Sequence, residues 1–257
     1  MSAKESFRQL APVYDKYRKP DELILRLLSE EIQKLAGTVG NLSMLDVGCG
    51  TGGYSIPLAK QFAIKLTGID VSKEMLERAR SKHSNGNWIL GDIESIDFEE
   101  NSFDVVLMSY VLHHMRDYKR TLKPVYKILK SASGLLFIVT DDHDQFYSSF
   151  YHKYVPKIME IDLNRFPKVN ELCNYLRSIN FKVRVKKVRH KQCISCEEDI
   201  EKLIEQGKAR YFSTLTLLTD KELDEGLKRM KRALNRELKS GPIKRVREKT
   251  VLFAQPS

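Results

Sequence analysis

The chain has 257 residues with 44 Lys and Arg against 34 Asp and Glu, a formal net charge of +10, a length that buries a full α/β core with room for an elaborated cap. It has no run of about eighteen apolar residues to cross a bilayer, and its first residues, MSAKESFRQLAPVYDKYRK, lack the apolar core of a signal peptide, so a cytoplasmic protein without a membrane partner is expected. Its 4 cysteines make no disulfide framework at this length, which agrees with a reducing compartment.

At the start, Phe7, Leu10, Ala11, Val13, Tyr14 and Tyr17 stand on a charged background. A helical pattern then runs from Glu22 to Leu35, ended by Gly37 to Asn41. Leu42 to Val47 reads as a buried parallel strand, after which four glycines in six residues turn the chain into a helix from near Tyr54 to Phe62. Glycine allows positive φ and close approach to a ligand, and the free N–H groups of the helix start favour electron-rich atoms. Ile64 to Val71 reads as a second strand ending in Asp70, a carboxylate placed to accept from both hydroxyls of a ribose. The expected ligand is a nucleoside. Gly48, Gly50 and Gly53 also fit the G-x-G-x-x-G dinucleotide pattern, so the glycines alone do not choose between cofactors.

Ser72 caps the next helix, which runs to Lys82 with Met75 and Leu76 at helical spacing and Glu74 near its positive end. Asn87 to Asp92 is a third strand with Asp92 at its end, and Trp88 reads as packing. Ser102 to Ser109 is a fourth, apolar enough for burial on both faces. Tyr110 to His114 follow. Imidazole accepts a proton near neutral pH, so His113 or His114 is the first candidate for a general base. Adjacent histidines do not easily share one ion and no third ligand stands at suitable spacing, so no metal is expected. A helix from Tyr118 to Leu129 and a fifth strand, Leu135 to Thr140, complete this half.

The phrases LDVGCGTGGYSIPLA, GIDVSKEMLERAR and GDIESIDFEENSFDVVLMSYVLHHM, in that order, closely resemble class I S-adenosylmethionine-dependent methyltransferases. FRQLAPVYDKYRKP resembles the N-terminal segment of their type 11, small-molecule branch. The resemblance implies a Rossmann-like three-layer α/β sandwich: a mostly parallel seven-stranded sheet with an antiparallel last strand, plus a helical cap. It implies S-adenosylmethionine as cofactor and S-adenosylhomocysteine as product. It puts Asp46 near the methionine part, Asp70 on the ribose, and Asp92 with Ile93 around the adenine. Gly48, Cys49, Gly50, Val71, Met75 and Ser109 join the cofactor-binding set, and His113 and His114 fall beside the transferable methyl group. Tyr14 and Tyr17 would cover the methionine end and Arg18 would reach its carboxylate; the alternative is that both tyrosines only anchor a surface helix.

Past Thr140 the composition changes. Asp141 to Gln145 is polar, and Phe146, Tyr147, Phe150, Tyr151 and Tyr154 then form either a pocket wall or the core stripe of a surface helix. As a wall, Tyr147 and Tyr151 would join Tyr110 and His114 against the acceptor. Phe166 to Ile179 reads as a helix, Phe181 to Val188 as a sixth strand and Lys249 to Ala254 as the last. The residues between these two strands are too many for a structureless loop. Glu197 to Lys208 and Asp220 to Leu238 read as helices joined by Ser213 to Leu217. Residues 1–40 and 192–247 are expected to form a lid within one methyltransferase domain, 1–257. The type 11 resemblance turns Arg210, Tyr211 and Ser213 toward the acceptor, where an arginine suits a carboxylate; a surface salt bridge is the competing account.

Cys193-Ile194-Ser195-Cys196 has no second pair for a zinc site, and two buried thiols at a strand end are expected. The positive charge gathered in Lys182 to Lys191 and Lys228 to Lys249 reads as solvated faces before it reads as a nucleic-acid surface, since no RNA-binding module accompanies it. The function expected is methyl transfer to a small-molecule acceptor by in-line displacement. The alternatives are a tRNA or protein methyltransferase and a non-catalytic cofactor-binding subunit.

Overall fold

Leu42 to Val47, Val105 to Ser109 and Leu135 to Thr140 are apolar runs with few polar breaks, and in the computed structural model they lie side by side at the centre of one sheet. The structure describes residues 7, 10–11, 14–37, 40–131 and 133–257. Val13 and part of the stretch from Gly37 to Asn41 lie outside the described residues. In chain order the elements are α1 (Tyr14–Tyr17), α2 (Glu22–Ala36), β1 (Ser43–Val47), α3 (Ser55–Phe62), β2 (Lys65–Asp70), α4 (Lys73–Lys82), β3 (Asn87–Leu90), β4 (Val105–Ser109), α5 (Tyr118–Ile128) and β5 (Leu135–Thr140). They continue with α6 (His143–Phe146), α7 (Phe150–Tyr154), α8 (Pro156–Arg165), α9 (Val169–Ser178), β6 (Phe181–Ile194), α10 (Glu197–Lys208), α11 (Asp220–Leu238) and β7 (Ile243–Pro256). Among the described residues no helix is long and apolar enough to cross a membrane.

The chain divides into two compact units. The sheet unit comprises Lys19–Thr140, Lys168–Val188 and Thr250–Ser257; the helical unit comprises Met1–Arg18, Asp141–Pro167 and Arg189–Lys249. Strands β6 and β7 each contribute residues to both.

In the sheet unit the strand order is β3-β2-β1-β4-β5-β7-β6. The pairs among β1 to β5 are parallel, and β7 runs antiparallel to β5. Alternate residues of each strand face opposite ways. Met44, Leu66, Val105, Leu107, Phe137 and Phe253 pack on one face with Ile24, Leu28 and Ile32 of α2, Leu58 of α3 and Leu76 of α4. Leu45, Ile69, Val106, Met108, Ile138 and Leu252 pack on the other with Leu122 and Val125 of α5 and Leu172 and Leu176 of α9. This is the expected three-layer sandwich. The chain winds outward from β1 on one side and from β4 on the other, so the carboxyl ends of these two strands flank the switch point where open α/β sheets hold ligands.

In the helical unit, Phe150, Tyr151, Ile158, Ile200, Ile204, Leu215, Leu227 and Met230 form a separate core. Thr219 caps α11 in a reciprocal box with Glu222, which explains the sharp start of that helix.

Some expected boundaries move. α9 begins at Val169, because Phe166 precedes Pro167 and is extended, with ψ 130°. β6 runs on to Ile194 and β7 starts at Ile243, their charged alternation having hidden the extra length. Cys193 and Cys196 are exposed, not buried. Ile194 takes the inward position of β6, which turns Cys193 outward, and Cys196 is the residue that opens α10.

Candidate functional site

The glycine turn and its acids lie within the sheet unit, at the carboxyl ends of β1 and β2. Gly48 and Cys49 both donate backbone N–H groups to the Ile69 carbonyl, at 2.8 and 3.0 Å, which ties the turn to the end of β2. Gly48 has φ +67°, and a Cβ there would collide with Val111 Cγ2. Gly50 has φ +54°, and a Cβ there would meet no protein atom within 4 Å, so the turn leaves open space beside its backbone. Gly48→Ala is therefore expected to destabilise the fold by about 3 kcal/mol through left-handed strain plus overpacking. Chemical denaturation checks this, and adding Val111→Ala should recover only part of the steric cost, since the Val111 Cβ still lies 2.9 Å from the added Cβ.

Asp70 holds the turn from the other side. Its Oδ2 accepts from the Gly50 N–H and its Oδ1 from the Ser72 N–H, both at 2.8 Å. Burial pushes its carboxyl above the usual range, and the N–H groups of Ser72, Gly50 and Val71 oppose that shift. Asp46, at 1% exposure, is more deeply buried. Burial raises its pKa to about 7, with the Ser55 hydroxyl pulling down and the Asp70 charge adding to the rise. Ser55 Oγ donates to Asp46 Oδ2 at 2.5 Å, whereas Asp46 Oδ1 is buried without a partner among the described residues. Among the described residues no lysine, arginine or histidine pairs with either acid. Cys49 lies between them, its thiol driven up by burial and by both carboxylates.

This electrostatic pattern discriminates between nucleotide cofactors. A pyrophosphate would meet two buried carboxylates with no countercharge, whereas a ligand bearing cations and ribose hydroxyls would relieve both. The open space at Gly50 and the orphaned Asp46 oxygen suit such a ligand.

The other expected positions are distributed as follows. Val71 follows Asp70 half-buried, and Met75 is fully buried on α4 behind the Ser72 cap. Asp92 is exposed and caps a short 3-10 turn by accepting from Glu94 N–H at 3.0 Å, with Ile93 buried beside it. Trp88 packs against Gly68 and Gly86 and donates its indole N–H to the His83 carbonyl at 2.9 Å, a packing role as expected. Ser109 ends β4 half-buried. Tyr110 follows in the left-handed region at φ +51°, a conformation uncommon for an aromatic side chain, and its N–H bonds the Val139 carbonyl at 2.8 Å. His113 is buried and His114 half-buried on the next turn, with ring centroids 4.0 Å apart.

In the helical unit, Tyr17, Tyr151, Tyr211 and Phe212 form one aromatic group. Tyr211 sits 6.3 Å from Tyr17, 5.8 Å from Tyr151 and 5.0 Å from Phe212. Tyr14 and Arg18 are half-buried at the two ends of α1, joined by a backbone bond of 2.8 Å. Tyr147 is 69% exposed and stands apart from this group. Arg210 is occupied: its guanidinium donates to the carbonyls of Leu215 and Leu218 and pairs with Asp220. That is the salt-bridge account. Sequence reasoning missed Ser55, the partner of Asp46, and the buried chain linking His152, Asp162 and Thr214. Isolated polar residues in helical stretches give no signal of their own.

Residues 45–138 match the family described as Methyltransferase domain. The demethylmenaquinone methyltransferase of Staphylococcus aureus is 30% identical over 158 residues, which cover 59% of this chain and 66% of that protein. Its namesake in Lactococcus lactis is 29% identical over 169 residues, 60% of this chain and 65% of that protein. The matches thus span just under two thirds of these relatives. Among solved structures, a protein described as a methyltransferase of an antibiotic biosynthesis pathway from Anabaena variabilis superposes with a TM-score of 0.71 at 22% identity, covering 92% of this chain and 98% of that one. The phosphoethanolamine N-methyltransferase 2 of Haemonchus contortus, solved with S-adenosylhomocysteine, has a TM-score of 0.52 at 20% identity, covering 90% of this chain and 52% of that one. With the glycine turn, the two buried acids and the strand order already in place, residues 45–138 are similar to the methyltransferase domain family, and the sheet has the fold of class I S-adenosylmethionine-dependent methyltransferases.

Proposed function

We propose that this chain transfers the methyl group of S-adenosylmethionine to a small-molecule acceptor in the cytoplasm. The observation that carries the reading is the pair of buried, unneutralised acids, Asp46 and Asp70, around a glycine turn with open space at Gly50. The cofactor supplies an electrophilic methyl carbon, so the protein's work is binding, orientation and exclusion of water. Asp70 accepts from the ribose hydroxyls. Asp46 Oδ1 accepts from the ammonium of the methionine part. Asp92 and Ile93 border the adenine, and Val71, Met75 and Ser109 shape the rest of the cofactor site. Tyr14 and Arg18 belong to the methionine end. Tyr110, His114, Tyr147, Tyr151 and Tyr211 are assigned to the acceptor, and His113 or His114 is available as a base where the acceptor needs one. Demethylmenaquinone, named for the curated relatives, sets the first acceptor to assay.

Parallel calorimetric titrations with S-adenosylmethionine, S-adenosylhomocysteine and NAD test the cofactor. Micromolar binding of the first two with NAD silent is the expected result; NAD binding alone overturns it. Transfer of labelled methyl into a metabolite pool then tests the acceptor class, and salt-dependent binding of bulk tRNA would redirect it to nucleic acid.

A further inference from the structure

Ser55 carries no signal in the sequence, yet it is fully buried at the first position of α3. Ile56, Leu58 and Ala59 beside it on that helix are buried apolar residues. A hydroxyl in such surroundings reaches no water and needs a partner inside the protein. That partner is Asp46 Oδ2 on β1, at 2.5 Å, a separation in the range of hydroxyl bonds to an ionised carboxylate.

This bond makes the two oxygens of the acid unequal. A hydroxyl has one proton, and Ser55 gives it to Oδ2, so Oδ1 is left buried with no partner among the described residues. Oδ1 is then the atom on which either a proton or a cationic group of a ligand would settle. The titratable groups that face the acid are Asp70, at the end of β2, and Cys49, in the glycine turn. Burial is the largest influence and favours the neutral acid; the Ser55 hydroxyl opposes it, and the Asp70 charge adds to it. Cys49 stays a neutral thiol, because burial and both acids drive it upward.

We propose that Ser55 is a positioning residue for the cofactor: its bond to Oδ2 presents Oδ1 of Asp46 as the oxygen that receives the ammonium of the methionine part. The inference rests on the methyl-transfer reading and extends it to a residue that does not itself touch the ligand. Proton and ammonium compete for one oxygen, and the Ser55 hydroxyl tips that competition toward the ammonium. Affinity for the cofactor therefore rises with pH as Asp46 gives up its proton to the solvent, and loss of the hydroxyl moves the rise to higher pH.

The test is calorimetric titration of the full chain and of Ser55→Ala with S-adenosylhomocysteine at pH 6, 7 and 8. Wild-type affinity should rise about tenfold across this range, as expected for an acid with a midpoint of about 7. Where the variant's midpoint lies about one unit higher, it binds about tenfold more weakly than the wild type at pH 6 and about twofold more weakly at pH 8. A merely structural role for Ser55 gives the same ratio at every pH. The deaminated analogue of S-adenosylhomocysteine, with hydrogen in place of the amino group, should show no weakening in the variant. The Asp46 carboxyl carbon, followed by ¹³C resonance in the ligand-free protein and assigned with Asp46→Asn, should titrate about one unit higher in Ser55→Ala. Ser55→Cys fills the same space with a weaker donor and should move the profile in the same direction, so the inference does not hang on one variant.

A ratio that stays constant with pH, an analogue weakened as much as S-adenosylhomocysteine, or an Asp46 midpoint that the variants leave in place overturns the inference while the methyl-transfer reading stands. Failure of S-adenosylhomocysteine to bind the wild type at any pH removes that reading and the inference with it.

Discussion

Asp70→Ala is expected to weaken S-adenosylmethionine binding about hundredfold, the loss of a charge-assisted pair of hydrogen bonds to the ribose. From the sequence alone the substitution looks harmless to folding. The structure says otherwise, because both Asp70 oxygens already accept backbone N–H groups, from Gly50 and Ser72. Alanine leaves those two donors without their carboxylate and loosens the turn from the end of β2, which should lower stability by about 2–4 kcal/mol. Calorimetric titration measures the first effect and urea denaturation the second. Unchanged affinity in a folded variant would remove Asp70 from the ribose. Unchanged stability would mean that the two N–H groups find other acceptors.

Asp46→Asn should do the opposite to stability. The Asp46 pKa of about 7 lies above the ordinary carboxylate value, so between roughly pH 4 and 7 the folded protein holds a proton that the unfolded chain releases. Wild-type stability without cofactor should therefore fall as pH rises through that window, by at most about 4 kcal/mol, and stay low above it. Asparagine has no charge to form. At pH 8 the variant should melt several degrees above the wild type, and thermal scans across pH 5–8 should show a flatter profile. Cofactor binding should weaken at least tenfold, since the cation of the methionine part loses its counterion. The same linkage predicts that the wild type releases a proton on binding cofactor below pH 7, measurable as a dependence of the calorimetric heat on the buffer. A variant less stable than wild type at pH 8 would show that Asp46 is ionised and satisfied in the free protein.

The sheet unit was legible because its signals are local. Apolar runs ending in Asp46 and Asp70, the glycines between them and the Ser72 cap each declare themselves within a few residues. The strands of that half were placed to within three residues on this basis. The helical unit was legible only as helices. α10 and α11 matched their expected limits because a periodic apolar face needs no partner to be recognised. What the helical unit brings together depends on pairings across about fifty residues, such as Asp162 on α8 with Thr214 in the turn before α11, and no spacing rule reaches that far. The lengths of β6 and β7 escaped for a different reason. In an exposed strand lysine and arginine replace the apolar half of the alternation, so the usual pattern is missing. Cys193 was misjudged for the same reason.

That exposed strand carries part of the chain's positive charge along the border of the sheet. β6 is the last strand in the sheet order, so among the described residues one side of its backbone has no neighbouring strand. Such an edge invites a second molecule to extend the sheet, and the usual guard is a row of long cations. Lys182, Arg184, Lys186 and Lys187 are all exposed along it. Two copies approaching edge to edge would bring these like charges together, and the repulsion would be weaker in high salt. Lys182, Lys186 and Lys187 thus set a like charge along an edge where a second copy would have to pair, whereas Arg184 is paired with Glu31.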